Sequence, residues 1–256
     1  MKTTLSTTLV LSCVLFILGF SQLALAVPTI DRTNPEQMLK EATDALLQTS
    51  KDARSYVHTD RARYYAEVSS VLDQVLNKDY FARAVMATYG SSRLYKSLET
   101  QAEKDIFKQR VELFSRAMEK VLIEKYADAL LTFNGERIDI DALNDENGDS
   151  RKARVQQKIY DDGDKTYLVQ YSLHQDSKGL WLINNVIVEG INMGGTYRSQ
   201  FAEAMEKNRG DIDYVINNWA ALMQSANRKV ESQATEEAAT PSTTPSTTPT
   251  AGEAGE

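Results

Sequence analysis

Two histidines, one serine, one acidic run and a set of glycines are the residues whose chemistry comes into question first. His58 lies beside a helix start and His174 near a turn, and they are the only two histidines in the chain. A metal site built on them would need both to converge with carboxylates, and neither has a partner at ligand spacing. They read as solvated surface residues. The acidic stretch DIDALNDENGDS, Asp139 to Ser150, invites comparison with a calcium loop. Setting Gly148 on the invariant glycine of such a loop puts Leu143 at the first ligand position and Arg154 at the last, where a bidentate Glu is required. The match fails at both ends, leaving a polar turn between strands. Ser199, in YRSQF, has neither an elbow of the G-x-S-x-G kind nor a nearby histidine. Gly190, Gly194 and Gly195 lack the lysine and the helix-opening spacing of a phosphate-cradling loop. Catalytic groups converge from distant parts of a chain, so an enzyme stays open at this point, but nothing here asks for one.

What the sequence does hold in excess is apolar and aromatic side chains at regular spacing. Asn34 followed by Pro35 and Gln37 resembles a capped helix start, with Met38, Ala42, Ala45 and Leu46 on one face. A second helix from about Asp60 carries Tyr64, Val68, Val71, Leu72, Val75 and Leu76. DYFARAVMATYG reads as a short helix closed by Gly90. A long fourth helix carries Phe107, Val111, Phe114, Met118, Val121 and Leu122 on one stripe. The period then changes to two. A short strand in ALLTFNGERIDI precedes a hairpin whose arms alternate through Val155, Gln157, Ile159 and through Tyr167, Val169, Tyr171, Leu173, around the turn DDGD. LWLINNVIVEG follows as a strand apolar on both faces for most of its length, interrupted at Asn184-Asn185 where a bulge would sit. Two closing helices, about Tyr197 to Asn208 and Asp211 to Gln224, come after a Gly194-Gly195 joint that would serve either as a hinge or as a looser turn, with Arg198 paired to Glu189. The expected fold class is α+β: a helical bundle packed on a curved antiparallel sheet of four to five strands, enclosing an apolar cavity.

The ends differ from this body. Lys2, the apolar run Leu9 to Phe20 and the small-x-small triplet Ala24-Leu25-Ala26 follow the plan of a secretory signal, placing a signal peptide at residues 1–26. The run is shorter than the roughly 20 residues a membrane-spanning helix needs. The single cysteine, Cys13, leaves with the signal, so the exported chain has neither disulfide nor thiol chemistry. From Glu231 to Glu256 the chain repeats Pro, Ser and Thr and reads as a disordered tail, because it cannot bury enough surface to offset its ordering entropy. Of 29 basic and 36 acidic residues, the signal takes Lys2 and the tail takes Glu231, Glu236, Glu237, Glu253 and Glu256, leaving 28 and 31 for the domain at 27–230. That balance argues against nucleic acid as a partner.

LNKDYFARAVMATYG, then FKQRVELFSRAMEKVLIEKYADAL, then GLWLINNVIVEGINMGGTYRSQFAEAMEKNRGDIDYVI resemble, in order and spacing, the MlaC family of periplasmic phospholipid-binding proteins, also called toluene-tolerance proteins. The resemblance runs from about Pro35 to Met223. It is most specific at Trp181, Val188, Glu189, Gly190, Tyr197, Arg198 and Phe201. The chain departs from the family's pattern at Asn184-Asn185, usually Tyr-Asp, and over Met193 to Thr196. What the resemblance implies is a monomeric, non-catalytic carrier that needs no cofactor and holds phospholipid as cargo. Its partners would be an outer-membrane lipoprotein-porin complex and an inner-membrane ATP-driven (ABC) transporter complex bearing a lipid-binding domain. The pocket would be deep and dry, near the top of the roughly 300 to 1,000 Å³ range of ligand sites. The expected lining is Phe114, Met118, Tyr167, Val169, Tyr171, Trp181, Ile183, Val186, Val188 and Phe201. Two other classes stay in view: a secreted hydrolase with an apolar substrate pocket, and a non-catalytic envelope interaction protein working through its tail.

Overall fold

The computed structural model describes residues 28–133, 137–143, 149–160 and 165–225. The expected signal peptide (1–26), the tail (231–256), the DDGD turn and the centre of the acidic run lie outside the described residues.

Helix α1 (Pro35–Ala53) begins where Asn34 Oδ1 accepts the N–H groups of Glu36 at 3.0 Å and Gln37 at 2.9 Å. These bonds satisfy donors that have no partner inside the helix. Met38, Ala42 and Ala45 form its buried stripe, as their spacing predicts. Helix α2 (Arg61–Val75) is capped by Asp60 and buries Tyr64, Val68, Val71 and Val75. Helix α3 (Lys78–Met86) is followed by a 3₁₀ turn over Ala87–Gly90 and by α4 (Ser92–Ser97). Sequence reading passes over α4 because it has no buried face to produce a periodic signal. Helix α5 (Gln101–Leu131) opens on a reciprocal capping box between Thr100 and Glu103 and buries Phe107, Val111, Phe114, Met118 and Val121. It runs into the stretch expected as a strand, and the sheet starts only at Arg137.

Strands β1 (Arg137–Leu143), β2 (Lys152–Tyr160), β3 (Thr166–Gln175), β4 (Trp181–Val188) and β5 (Ile191–Asn192) form one antiparallel meander in the order of the chain. Helices α6 (Met193–Lys207) and α7 (Ile212–Asn217) and a last helix α8 (219–225) close the chain. This is the expected α+β arrangement. Three apolar clusters result, one of them joining α1, α2 and α5 through Ala53, Tyr64, Val68, Ile123 and Ala127. Helices α1 and α2 cover one face of the sheet through Met38, Leu39, Ala42, Ala45, Val71 and Val75, packed with Ile140, Val155, Leu173, Trp181 and Ile183. Helices α3, α5, α6, α7 and α8 build a second cluster around Phe114, Phe201 and Trp219.

The strand-to-helix joint differs from its expectation. Gly194 and Gly195 lie in the first turn of α6. The chain reverses earlier, at Glu189 (φ 50°) and Gly190 (φ 78°), a two-residue turn in the left-handed region that pairs Val188 with Ile191. Asn192 caps α6 by accepting the Gly195 N–H at 2.9 Å, and Asn185 on β4 accepts the Gly194 N–H at 3.1 Å. Asn185 Nδ2 in turn donates to Asn192 Oδ1 at 3.1 Å. Gly194 is buried, and its place in this network makes it a close-approach position.

Candidate functional site

Strand pairing places a band of apolar side chains on one face of the sheet. Cross-strand partners share a face, and so do alternate residues along a strand. In β3, Tyr167, Val169, Tyr171 and Leu173 alternate; their partners in β2 are Ile159, Gln157, Val155 and Ala153. The partners of Val169, Tyr171 and Leu173 in β4 are Val188, Val186 and Ile183. Between Ile183 and Asn185 the register shifts, leaving Asn184 unpaired. This bulge sits at the Asn184-Asn185 interruption and has a definite effect. Ile183 and Val186 are three residues apart, an odd spacing that would put them on opposite faces of a regular strand, and the extra residue returns them to the same one.

Seven of the ten expected lining residues therefore share a single face: Tyr167, Val169, Tyr171, Trp181, Ile183, Val186 and Val188. They are not equally covered. Trp181, Ile183 and Val169 are buried, Tyr171, Val186 and Val188 are half-buried, and Tyr167, near the start of β3, is 40% exposed. Phe114, Met118 and Phe201 are placed elsewhere. They belong to the helical cluster, where Phe114 meets Phe201 and Trp219 edge-on at ring-centroid distances of 5.0 and 5.1 Å. Trp219, fully buried between them, is not among the expected residues.

Part of the space between sheet and helices is packed by α1, whose Met38, Leu39, Ala42 and Ala45 form one cluster with Leu173, Trp181 and Ile183. Two concavities lie elsewhere. One of about 490 Å³ is bounded by the segment Thr29 to Arg32 with Asp73, Gln74 and Leu180. The other, of about 710 Å³, is lined by Asn77, Tyr80, Lys152, Arg154, Ser172, His174 and neighbours on the opposite face of the sheet. Polar residues outnumber apolar ones around both, and neither includes any of the ten residues.

One polar group interrupts the apolar face. Gln157 is 5% exposed; its Nε2 donates to Thr43 Oγ1 on α1 at 3.2 Å, and its Oε1 accepts the Tyr171 hydroxyl at 2.6 Å. Burial pushes the Tyr171 phenol well above its ordinary range, so the hydroxyl stays protonated and donating. By sequence Gln157 is only a member of an alternating run. The signal that singles it out is that its neighbours at two-residue spacing, Val155 and Ile159, are both apolar.

The expected Arg198–Glu189 pair does not form. Arg198 Nε donates to the Ala84 carbonyl on α3 at 2.9 Å, while the Glu189 carboxylate accepts the Leu168 N–H on β3. Each side chain is thus used by backbone nearer to it, and a backbone carbonyl suffices to hold the guanidinium. Among the described residues, no group of three His, Cys, Asp or Glu side chains is disposed to hold a metal ion, and no helix is long and apolar enough to cross a membrane.

Comparison with known proteins agrees with this architecture. Residues 40–221 match the family model of the MlaC protein. The toluene tolerance protein ttg2D of Pseudomonas putida is 26% identical over 204 residues, covering 80% of this chain and 88% of that protein. The solved structure of the phospholipid-binding protein from Ralstonia solanacearum, in complex with a phospholipid, superposes with a TM-score of 0.56 at 15% identity, over 75% of this chain and 99% of that one. With the family model spanning well over half its length, the chain belongs to the MlaC family.

Proposed function

We propose that this chain is a periplasmic phospholipid carrier. It passes lipid between an outer-membrane lipoprotein-porin complex and an inner-membrane ABC transporter complex with a lipid-binding domain, and so maintains the lipid asymmetry of the outer membrane. It acts as a monomer, with lipid as cargo, no other cofactor and no catalytic step. Residues 1–26 direct export, 27–230 bind lipid, and 231–256 form a tail outside the binding unit.

The observation that carries this reading is the apolar face of β2 to β4, kept continuous by the bulge at Asn184 and covered in part by α1 and α2. Family membership and the phospholipid held by the Ralstonia relative support it. The energetics are adequate without headgroup recognition. Each buried methylene contributes about 0.8 kcal/mol, so two acyl chains of ordinary length supply on the order of 20 kcal/mol before ordering costs. On this reading Tyr167, Val169, Tyr171, Trp181, Ile183, Val186 and Val188 meet the acyl chains, and Phe114, Met118 and Phe201 support the helical layer.

The test is solvent extraction of the purified, folded protein followed by mass spectrometry. Intact phospholipid in the extract is the expected result. Fatty acids or other cleavage products in its place would favour the hydrolase reading. Absence of lipid, with none loaded on incubation with vesicles, would end the carrier reading.

A further inference from the structure

We infer that the Gln157 amide is a specificity group that exchanges the Thr43 hydroxyl for an ester carbonyl of the cargo lipid. The inference rests on the carrier reading above and names the lipid chemistry that the same face selects.

Gln157 stands out first by polarity. It is one of three buried polar residues among those described, with Ser50 and Ser115, and it alone lies in the sheet. An apolar side chain between Val155 and Ile159 would fill the position without removing an amide from water, so the amide calls for a use. Both ends of the amide are engaged by groups that differ in what carries them. Tyr171 is on β3, beside Gln157 on the same face, and stays with the sheet. Thr43 is on α1, the helix that packs over part of that face.

Ile183 and Val186 pack with the apolar stripe of α1, so an acyl chain can lie on them only if α1 withdraws, and Thr43 withdraws with it. Oε1 then keeps its bond from the Tyr171 hydroxyl, which holds the amide plane in place. Nε2 is left pointing into the vacated apolar space as a donor without an acceptor. The acyl chains themselves offer none. The phosphate is an acceptor, but its charge holds it near water. In a glycerophospholipid the strongest uncharged acceptors that border the acyl chains are the two ester carbonyls, ahead of any ester-bridging or ether oxygen, and either restores the bond lost with Thr43. An ether-linked lipid of the same length has no carbonyl there. The face therefore distinguishes ester-linked from ether-linked glycerophospholipids, although the two carry nearly the same apolar surface.

The experiment is competitive loading of the purified protein from mixed vesicles of diacyl phosphatidylglycerol and its dialkyl-ether analogue of equal chain length, read by native mass spectrometry. The unsubstituted protein is expected to favour the ester about tenfold, one hydrogen bond's worth of discrimination. Gln157→Leu is expected to load both lipids with a preference within about twofold. Thr43→Val, on the half-buried side of α1 and independent of whether the Gln157 variant folds, removes the competing acceptor and is expected to raise ester loading while the preference persists. Equal loading of the two lipids by the unsubstituted protein would overturn the inference, and so would a tenfold preference surviving in Gln157→Leu. Failure to load either lipid would instead overturn the carrier reading on which it rests.

Discussion

Asn185 and Gly194 touch so closely that a side chain at position 194 would push the Asn185 amide aside. The Asn185 Oδ1 accepts the Gly194 N–H at 3.1 Å, and a β-carbon on residue 194 would stand 2.7 Å from the same oxygen. At Gly195 the nearest atoms to such a carbon are 3.6 Å away, an ordinary contact. Adjacent glycines thus have different reasons to exist, and α6 is tied to β4 through only one of them.

Substitution separates the two. Gly194→Ala should destabilise the protein by about 0.5–1.5 kcal/mol, the worth of the hydrogen bond lost as Asn185 is displaced. Gly195→Ala should be neutral or stabilising by up to about 1 kcal/mol, since it removes backbone freedom from the unfolded chain. Urea denaturation of both variants checks this; equal losses would mean that the close approach at residue 194 carries no energy.

The two faces of β4 provide a paired test of the lipid surface. Val188 lies on the apolar face opposite Val169, and its neighbour Ile187 pairs with Gln170 and faces the other way; both are half-buried. Val188→Asp should reduce copurifying phospholipid at least tenfold, because an ionised carboxylate on the acyl surface must be desolvated. Ile187→Asp should keep its lipid. Circular dichroism and extracted-lipid mass spectrometry read fold and cargo separately, and equal retention by both variants would remove Val188 from the lining.

Tyr64 joins three helices. Its ring is fully buried on α2, and its hydroxyl donates to the Ala127 carbonyl on α5 at 2.7 Å and lies 3.0 Å from Ser50 Oγ on α1. Tyr64→Phe keeps the ring packing and removes only the oxygen, leaving a buried carbonyl and a buried hydroxyl short of a partner. The expected loss is about 1–3 kcal/mol in the unfolding free energy, measured by denaturant titration. A loss under about 0.3 kcal/mol would show that water replaces the phenol.

Arg110 on α5 grips Asp213 on α7 in a two-pronged pair, Nε to Oδ1 at 2.8 Å and Nη2 to Oδ2 at 2.6 Å. The guanidinium holds the Asp213 carboxyl below the usual carboxylate range. A depressed folded-state value stabilises above the unfolded one, about 3.9 for Asp, and the contribution disappears as pH falls through the depressed value. Asp213 is largely exposed, so Asp213→Asn should cost only about 0.5–1 kcal/mol at pH 7 and low salt. The gap from the unsubstituted protein should narrow as pH falls below the unfolded Asp value of about 3.9, and in ~1 M salt through screening. A constant gap across pH would assign it to packing.

Periodicity alone makes the long elements legible in the sequence. The stripes of α1, α2 and α5, the hairpin of β2 and β3, and the interruption in β4 all follow from side chains repeating at the helix or strand period. What is not legible has a common physical origin. Whether Phe114 and Tyr171 face the same space depends on how α5 lies relative to the sheet, which no local spacing encodes, and the structure places them in different clusters. Arg198 could have met any acceptor within its reach, and the Ala84 carbonyl lies more than a hundred residues away in sequence. The role of Gln157 depends on Thr43, equally distant. Face membership within the sheet can be read; the partner of each polar tip cannot.

The unpaired Asn184 bears on how the gene can change. Every apolar position in β4 after it owes its orientation to the presence of that one extra residue, whatever its side chain. Loss of a single codon there would turn Val186 and Val188 toward solvent and bring Ile187 inward with no hydrophobic residue replaced. Substitutions at 184 should therefore be tolerated far more widely than deletions, which makes residue count in this strand, more than residue identity, the inherited constraint.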